Sequence, residues 1–179
     1  HAVTLFEAGP EIGGQFNIAK KVPGKEEFYE TLRYFRRQIE LKGVDLRLNT
    51  RVDAAQLAAG GWDDIVLATG ILPRLPAIDG IGHAKVLSYL DVLRDEKPVG
   101  ADVAVIGAGG IGFDVSEYLV HRGESASLVP SKFYAEWGVD TTGSTRGGLK
   151  PAHIGAVPRK VYLLQRKTSK VGDGLGKTT

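Results

Sequence analysis

The feature that most constrains the fold is residues 102–112, where an apolar run leads into glycines spaced G-x-G-x-x-G. Residues 102–106 include three β-branched side chains and predict a buried strand. Residues 113–119 predict a helix. A lone glycine pattern is weak in a chain with 24 glycines, so the strand and helix that flank it carry the argument.

Each glycine of this turn has a distinct predicted role. Gly107 would permit the tight turn, Gly109 would let a pyrophosphate approach the backbone, and Gly112 would let the helix pack close to the strand. Gly110 belongs to the same turn, and the phosphate would rest on free N–H groups at the start of the following helix, where the macrodipole is positive. The stretch therefore predicts a dinucleotide-binding turn. The alternative is a glycine turn that serves packing only.

Length and composition restrict the class of protein. A chain of 179 residues with 42% hydrophobic residues suits an α/β fold. Its 23 basic and 21 acidic residues are interspersed, so neither nucleic acid nor a membrane is an expected partner. The absence of cysteine excludes a disulfide, a thiolate-held iron–sulfur cluster and a cysteine nucleophile within this stretch. Chemistry is therefore expected from bound cofactors.

No apolar run reaches membrane-spanning length and no signal-peptide pattern is present, so a cytoplasmic location is expected. The chain also lacks methionine, even at position 1. We therefore expect it to be a piece of a longer polypeptide.

The first residues predict a second unit of the same type. Residues 1–7 read as a buried strand that ends on Glu7, the position at which dinucleotide-binding units hold a ribose. That acid normally lies about 20 residues after a glycine fingerprint, and no fingerprint precedes it here. A first strand and helix are thus expected to be missing, and pairing with a second copy, giving a dimer, would cover the exposed sheet edge. An acid at an ordinary strand end is the alternative.

The segment between the two units predicts a short series of elements. Ser88 and Asp91 have the spacing of a capping box for a helix over 89–93. Prolines and glycines in 71–82 mark a change of domain, so we predict a first domain over 1–97 and a second over 98–179. The other predicted elements are a helix over 25–41 and strands over 44–49, 63–68 and 85–87.

The second unit is predicted to carry an insertion. Residues 124–160 are rich in Gly, Ser, Thr and Pro where a compact unit needs only a short loop. Because the insertion also contains Phe133, Tyr134 and Trp137, we expect it to pack on the domain or against a missing partner. The delayed strand is predicted over 161–165.

The end of that delayed strand predicts the nucleotide preference. Arg166 and Lys167 follow it, where the first unit has Glu7. A carboxylate would bind the ribose hydroxyls of NAD, whereas two cations attract the 2′-phosphate of NADP. NADPH is therefore favoured over NADH. Two solvated basic residues after a strand are the alternative.

The last residues superficially resemble a phosphate-binding P-loop. Residues 174–178 read G-L-G-K-T, but the P-loop pattern needs glycine at position 171, where this chain has Val171. No strand is predicted before it. We therefore do not predict a P-loop.

Several stretches together resemble a known family. They are VTLFEA, EIGGQFNIAKKVPGKEEFYETLRYFRR, LATGILPR, VLSYLDVLR, VAVIGAGGIGFDV, EWGVD and LQRKTSK, which run through nearly the whole chain. They are similar to the C-terminal part of bacterial NADPH-dependent 2,4-dienoyl-CoA reductases. Trimethylamine-dehydrogenase-like and glutamate-synthase-like flavoproteins stay as alternatives, and so does a non-catalytic nucleotide-binding module.

The resemblance implies an α/β flavoprotein fold of two Rossmann-like dinucleotide-binding units, the first truncated. In the full-length enzyme a β/α barrel with FMN and an iron–sulfur cluster would precede them, as the partner domain of the same chain. Electrons would pass from NADPH to FAD, through the cluster to FMN, and on to a 2,4-dienoyl-CoA thioester in unsaturated fatty-acid β-oxidation. Without the barrel, this stretch alone is expected to be inactive.

The resemblance also implies which residues hold FAD. Glu7 would bind the adenosine ribose, and Gly14 and Gln15 would lie by the pyrophosphate or ribityl chain. Val52 would contact adenine through its backbone.

A further turn and the second unit complete the predicted set. Thr69 and Gly70 match an A-T-G turn that passes close to FAD. The glycine turn would hold the NADPH pyrophosphate, with Arg166 and Lys167 at the 2′-phosphate. None of these residues transfers a proton, so no catalytic residue and no metal ligand is predicted.

Overall fold

The computed structural model describes residues 1–173 and 175. It divides the chain into two compact units, one made of His1–Asn17 and Phe28–Val86, the other of Ile18–Glu27 and the chain from Leu87 onward. Among the described residues, no helix is long and apolar enough to cross a bilayer, and no group of acidic and histidine side chains is arranged to hold a metal ion. Residues 174 and 176–178, which belong to the P-loop-like stretch, lie outside the described part.

The first unit is built around two short parallel strands joined through a helix. Strand β1 pairs with β2 in a register that sets Thr4 opposite Asp45 and Phe6 opposite Arg47. Parallel strands need such a crossover connection. The elements of the first unit are β1 (Thr4–Phe6), α1 (Phe16–Ala19, which ends in the second unit), α2 (Glu27–Leu41), β2 (Asp45–Arg47) and α3 (Ala54–Ala59).

The second unit repeats this arrangement around a longer strand pair. Strand β3 pairs in parallel with β4, from Asp102 opposite Lys160 to Ile106 opposite Leu164. The predicted helix after the glycines is confirmed. The elements of this unit are α4 (Tyr89–Leu93), β3 (Asp102–Ile106), α5 (Gly110–Val120), α6 (Pro130–Glu136) and β4 (Lys160–Leu164), with 3₁₀ turns at Ala126–Leu128 and Arg146–Gly148.

The capping box predicted at the start of α4 is confirmed. The Ser88 hydroxyl accepts from the Asp91 backbone N–H, and the Asp91 carboxylate accepts from the Ser88 N–H. The Lys97 ammonium, 2.5 Å away, and the Ser88 hydroxyl donate to the same carboxylate and hold the pKa of Asp91 well below its usual range. Local sequence alone therefore fixes this helix start.

The core of the second unit includes a residue from much earlier in the chain. Val22 is only 2% exposed and packs with residues of α4 and α5. The segment Ile18–Glu27 therefore belongs structurally to the second unit. The buried cluster consists of Val22, Val92, Leu93, Val115 and Leu119.

Two predicted strands are absent from the structure. Residues 63–68 form no strand, and Val66 and Leu67 are 87% and 75% exposed. Residues 85–87 likewise form no strand. An apolar run signals a tendency toward burial, but a strand also needs a neighbour to accept its hydrogen bonds, and no described strand pairs with either segment.

The insertion is only partly structured. Within 124–160 the chain forms α6 and two 3₁₀ turns. Ser125 and Ala126 of the insertion are buried, whereas its three aromatic side chains are each more than one-third exposed. Packing of the insertion on the domain or against a missing partner therefore stays a prediction. Phe133 and Trp137 contact each other, with ring centroids 5.8 Å apart.

The division of the chain into two functional domains, 1–97 and 98–179, stays a prediction.

Replacing Val22 with alanine is expected to lower the free energy of unfolding by about 1–3 kcal/mol, because a buried side chain loses its packing partners. Val66→Ala is the matched control, since it removes the same atoms from an exposed position, and it should change stability by less than about 0.5 kcal/mol. Urea unfolding measures both. Equal losses would contradict the assignment of Val22 to the core.

Candidate functional site

The glycine turn joins β3 to α5 through one very close approach of backbone segments. Gly107 has φ +118, a conformation open mainly to glycine. A Cβ on Gly112 would collide with the Gly107 carbonyl oxygen. Both roles predicted from the spacing, the tight turn and the close packing, are thus visible in the geometry.

The first turn of α5 is open toward a ligand. Gly109 is the N-cap residue and provides no side-chain cap, so the first backbone N–H groups of the helix lack a side-chain acceptor at that position. A Cβ on Gly109 would meet no atom within 4 Å, and one on Gly110 would only touch the side chain of Leu175. Helix N-termini of this kind attract phosphate groups.

The end of β4 lies beside this turn. The Gly107 N–H donates to the Leu164 carbonyl oxygen at 2.8 Å, which brings the two strand ends together. Arg166 and Lys167 follow two and three residues later and are both exposed. Two exposed cations therefore follow the strand end that is bonded to the glycine turn, and their contact with a 2′-phosphate stays a prediction.

The first unit brings Glu7 to the equivalent strand edge. Glu7 is half-buried, and its Oε1 accepts from the Gly9 N–H at 2.7 Å. A carboxylate has two oxygens and about four acceptor sites, so this bond leaves capacity for ribose hydroxyls. The backbone of Thr50 donates to the Glu7 carbonyl oxygen at 2.9 Å, and half-buried Val52 follows two residues later.

The paired glycines after β1 have different surroundings. Gly13, with φ +121, packs so closely against Leu32 that a side chain would collide with it. Gly14, with φ +47, faces open space, and its carbonyl oxygen accepts from the Asn17 N–H. Gln15 is exposed beside it. The geometry thus makes Gly13 structural and leaves Gly14 accessible to a ligand.

Thr69 and Gly70 are placed differently from the other candidates. Both are exposed and lie directly after residues 63–68, the irregular stretch for which the sequence predicts a strand. Gly70 has φ +69, as expected for a turn. The structure therefore provides no strand end from which these two residues could approach a cofactor.

Sequence reasoning missed two features near these strand ends. Asn49 has φ +52, and its N–H donates to the Gly9 carbonyl oxygen at 2.8 Å, so it closes the edge that carries Glu7. Asn is among the side chains that best tolerate this conformation outside glycine, and this preference is the signal that could have found it. The second missed feature is an ion pair between Lys25 and Asp114, 89 residues apart in sequence, which no local pattern indicates.

These arrangements suit the binding of nucleotides rather than acid–base catalysis. The glycine turn supplies N–H donors and a helix dipole, and the two cations at 166–167 supply charge for a phosphate. Glu7 supplies a hydroxyl acceptor at the other strand pair. Each strand edge therefore presents, within its own unit, groups of the kind that dinucleotide-binding units use.

The family of the chain follows from comparison with known proteins. A family described as pyridine nucleotide-disulphide oxidoreductase matches residues 1–133. The chain belongs to this family of flavin- and pyridine-nucleotide-dependent oxidoreductases, whose domain implies binding of FAD and NAD(P)H.

Individual relatives are reductases and dehydrogenases. The chain is 36% identical over 129 residues to a bilirubin reductase of Mediterraneibacter gnavus, covering 72% of this chain and 20% of that protein. It is 33% identical over 137 residues to an N,N-dimethylglycine/sarcosine dehydrogenase of Chromohalobacter salexigens, with the same coverage of each chain. The chain thus spans about a fifth of the length of these relatives.

A solved structure agrees with this assignment. A 2-naphthoyl-CoA reductase in complex with 2-naphthoyl-CoA matches with a TM-score of 0.62 and 36% identity, over 66% of this chain and 18% of that one. The α/β arrangement described above is therefore shared with a reductase of known structure.

The glycine turn gives a test that separates folding from binding. Gly109→Ala should change the free energy of unfolding by no more than about 1 kcal/mol, because φ −93 and ψ −176 suit any residue and the new Cβ meets no atom. It should weaken NADPH binding roughly tenfold or more by obstructing phosphate approach. Gly112→Ala should instead destabilise the fold. Calorimetric titration and urea unfolding measure the two effects.

Gly100→Ala is the control for these variants, since a Cβ there also meets open space and the residue lies outside the glycine turn. It should alter neither property. Undiminished NADPH binding by Gly109→Ala would count against a pyrophosphate at this turn.

Proposed function

We propose that this chain is the electron-input part of a flavin and iron–sulfur oxidoreductase, accepting electrons from NADPH on FAD for the reduction of 2,4-dienoyl-CoA thioesters in unsaturated fatty-acid β-oxidation. The observation that carries the proposal is the glycine turn at the start of α5, with Arg166 and Lys167 at the adjacent strand end. This combination supports the proposal, because a helix N-terminus attracts a pyrophosphate and two cations attract a 2′-phosphate.

The residues of the chain would bind and orient the cofactors. In the second unit, the turn from Gly107 to Gly112 would hold the NADPH pyrophosphate, and the cations at 166–167 the 2′-phosphate. In the first unit, Glu7 would hold the FAD ribose, with Gly14, Gln15 and Val52 around the rest of the cofactor. When bound, NADPH and FAD supply the hydride-transfer chemistry.

The assignment of Thr69 and Gly70 to the FAD site requires a strand over 63–68. Its apolar side chains are exposed here, and a neighbouring strand in a longer polypeptide would allow it to pair and bury them. We propose that these two residues approach FAD only in that paired state. The remaining parts of the proposed enzyme, a barrel with FMN and the cluster, would lie in the same longer polypeptide, in the cytoplasm.

The substrate class rests on the resemblance of the sequence motifs and on one relative of known structure. 2-Naphthoyl-CoA, the partner of the reductase in that complex, is an unsaturated acyl-CoA thioester, as is a 2,4-dienoyl-CoA.

A second candidate function is that of an amine dehydrogenase, favoured by the similarity to the N,N-dimethylglycine/sarcosine dehydrogenase. Turnover of a 2,4-dienoyl-CoA against turnover of dimethylglycine by the full-length protein distinguishes the two.

Replacing both Arg166 and Lys167 with alanine is expected to weaken NADPH binding roughly ten- to a hundredfold, because charge-assisted hydrogen bonds to a phosphate contribute about 1.5–3 kcal/mol. NADH binding should be nearly unchanged, since NADH lacks the 2′-phosphate. Fluorescence titration with each nucleotide measures the ratio of the two dissociation constants.

Lys170→Ala is the matched control, because it removes an exposed cation three residues beyond Lys167. It should retain the preference for NADPH. Wild-type protein that binds both nucleotides equally, or neither, would contradict the proposed function of this site.

A further inference from the structure

A partly buried ion pair lies next to the glycine turn and has no role in the proposed binding site. The Lys25 ammonium donates to both carboxylate oxygens of Asp114, at 2.7 and 2.8 Å. The two side chains are 33% and 23% exposed. The other ion pairs of the described residues each have at least one partner with a side chain more than one-third exposed.

The position of Lys25 is fixed by a tight turn that is anchored in the core. Val22 is buried, and its carbonyl oxygen accepts from the Lys25 N–H at 3.0 Å. Pro23 and Gly24 lie between them. Gly24 has φ +85, the positive φ that the third residue of a type II turn requires, and proline is common at the second position. The ammonium group is therefore presented from a rigid segment of the second unit.

The position of Asp114 follows from helix geometry. Asp114 lies four residues after Gly110, the first residue of α5, and residues i and i+4 share one face of a helix. Because side chains tilt toward the N-terminus, the carboxylate lies over the turn that begins at Gly110. At 1.5 Å per residue, the Cα atom of Asp114 is about 6 Å along the axis from that of Gly110, and the carboxylate is closer to the first amides.

A carboxylate at this distance from a phosphate site works against binding. A helix N-terminus attracts anions, but an uncompensated negative charge one turn away repels the same anion, and the two charges interact appreciably at the dielectric of a protein surface. Neutralisation of that carboxylate therefore affects how well the turn can hold a pyrophosphate.

We propose that Lys25 is a positioning residue for the dinucleotide, acting through Asp114: its ammonium group cancels the carboxylate charge beside the first amides of α5. This inference rests on the proposed function of the glycine turn as a pyrophosphate site. It assigns the segment Ile18–Glu27, from the first half of the sequence, to the electrostatics of the second nucleotide site.

Charge neutralisation differs in its consequences from a purely mechanical role for the ion pair. If the pair only anchored the segment Ile18–Glu27 to α5, loss of either partner would weaken binding, because each loss breaks the anchor and leaves an unpaired charge. If charge neutralisation matters, loss of Lys25 weakens binding, loss of Asp114 does not, and removal of Asp114 as well restores binding. The two roles therefore predict different results for loss of Asp114 alone.

In the experiment, the purified protein, Lys25→Met, Asp114→Asn and the double variant are titrated with NADPH at low ionic strength. Calorimetry measures each dissociation constant. Lys25→Met should raise the dissociation constant roughly tenfold. Asp114→Asn should leave it unchanged or lower it, and the double variant should return to within about twofold of wild type. High salt should shrink the effect of Lys25→Met, because charge repulsion is screened.

Lys21→Met is the matched control, since Lys21 lies in the same segment and pairs with Glu96 at 2.7 Å. Its dissociation constant for NADPH should equal that of wild type. Unfolding free energies are measured for all variants; if Lys25→Met does not fold, the single variant Asp114→Asn still decides, because an anchoring role predicts weaker binding.

Two failures are distinguishable in this design. Wild-type protein that does not bind NADPH would contradict the proposed function, and this inference with it. NADPH binding by wild type, combined with weaker binding by Asp114→Asn or with no recovery in the double variant, would overturn the role of Lys25 and leave the proposed function intact.

Discussion

The close approach of α5 to the end of β3 is the constraint on which the candidate site depends. Only a residue without a side chain at position 112 lets the helix begin against the Gly107 carbonyl. That contact fixes where the first amides of α5 point. The hydrogen bond from Gly107 to Leu164 then sets the end of β4 beside the same turn, and Arg166 and Lys167 follow that strand end in the sequence.

The second unit also depends on a segment that the sequence alone assigned elsewhere. Val22 enters its core, and the turn that follows carries Lys25 to Asp114. This segment comes shortly after Gly14 and Gln15 in the sequence. The stretch proposed to contact FAD is thus continuous in sequence with the stretch proposed to tune the NADPH site.

Local patterns predicted the features that depend on neighbouring residues. The glycine turn, α5 and the capping box of Ser88 and Asp91 are each decided within about ten residues. The strand over 63–68 was wrong because pairing depends on a distant neighbour, and periodicity carries no information about one. Lys25 and Asp114 are 89 residues apart, so only the fold shows that they meet, and the roles of the site residues stay predictions.

The most direct test of the central claim is a titration of the ¹⁵N-labelled protein with NADPH, in which the change in each backbone amide chemical shift is measured. The largest shifts should fall on Gly109, Gly110 and Ile111 at the start of α5, and on residues 165–167. The amides of Asp140–Gly148, in the insertion, should stay unchanged. Largest shifts outside the glycine turn, or none at saturating NADPH, would contradict a dinucleotide site at this helix.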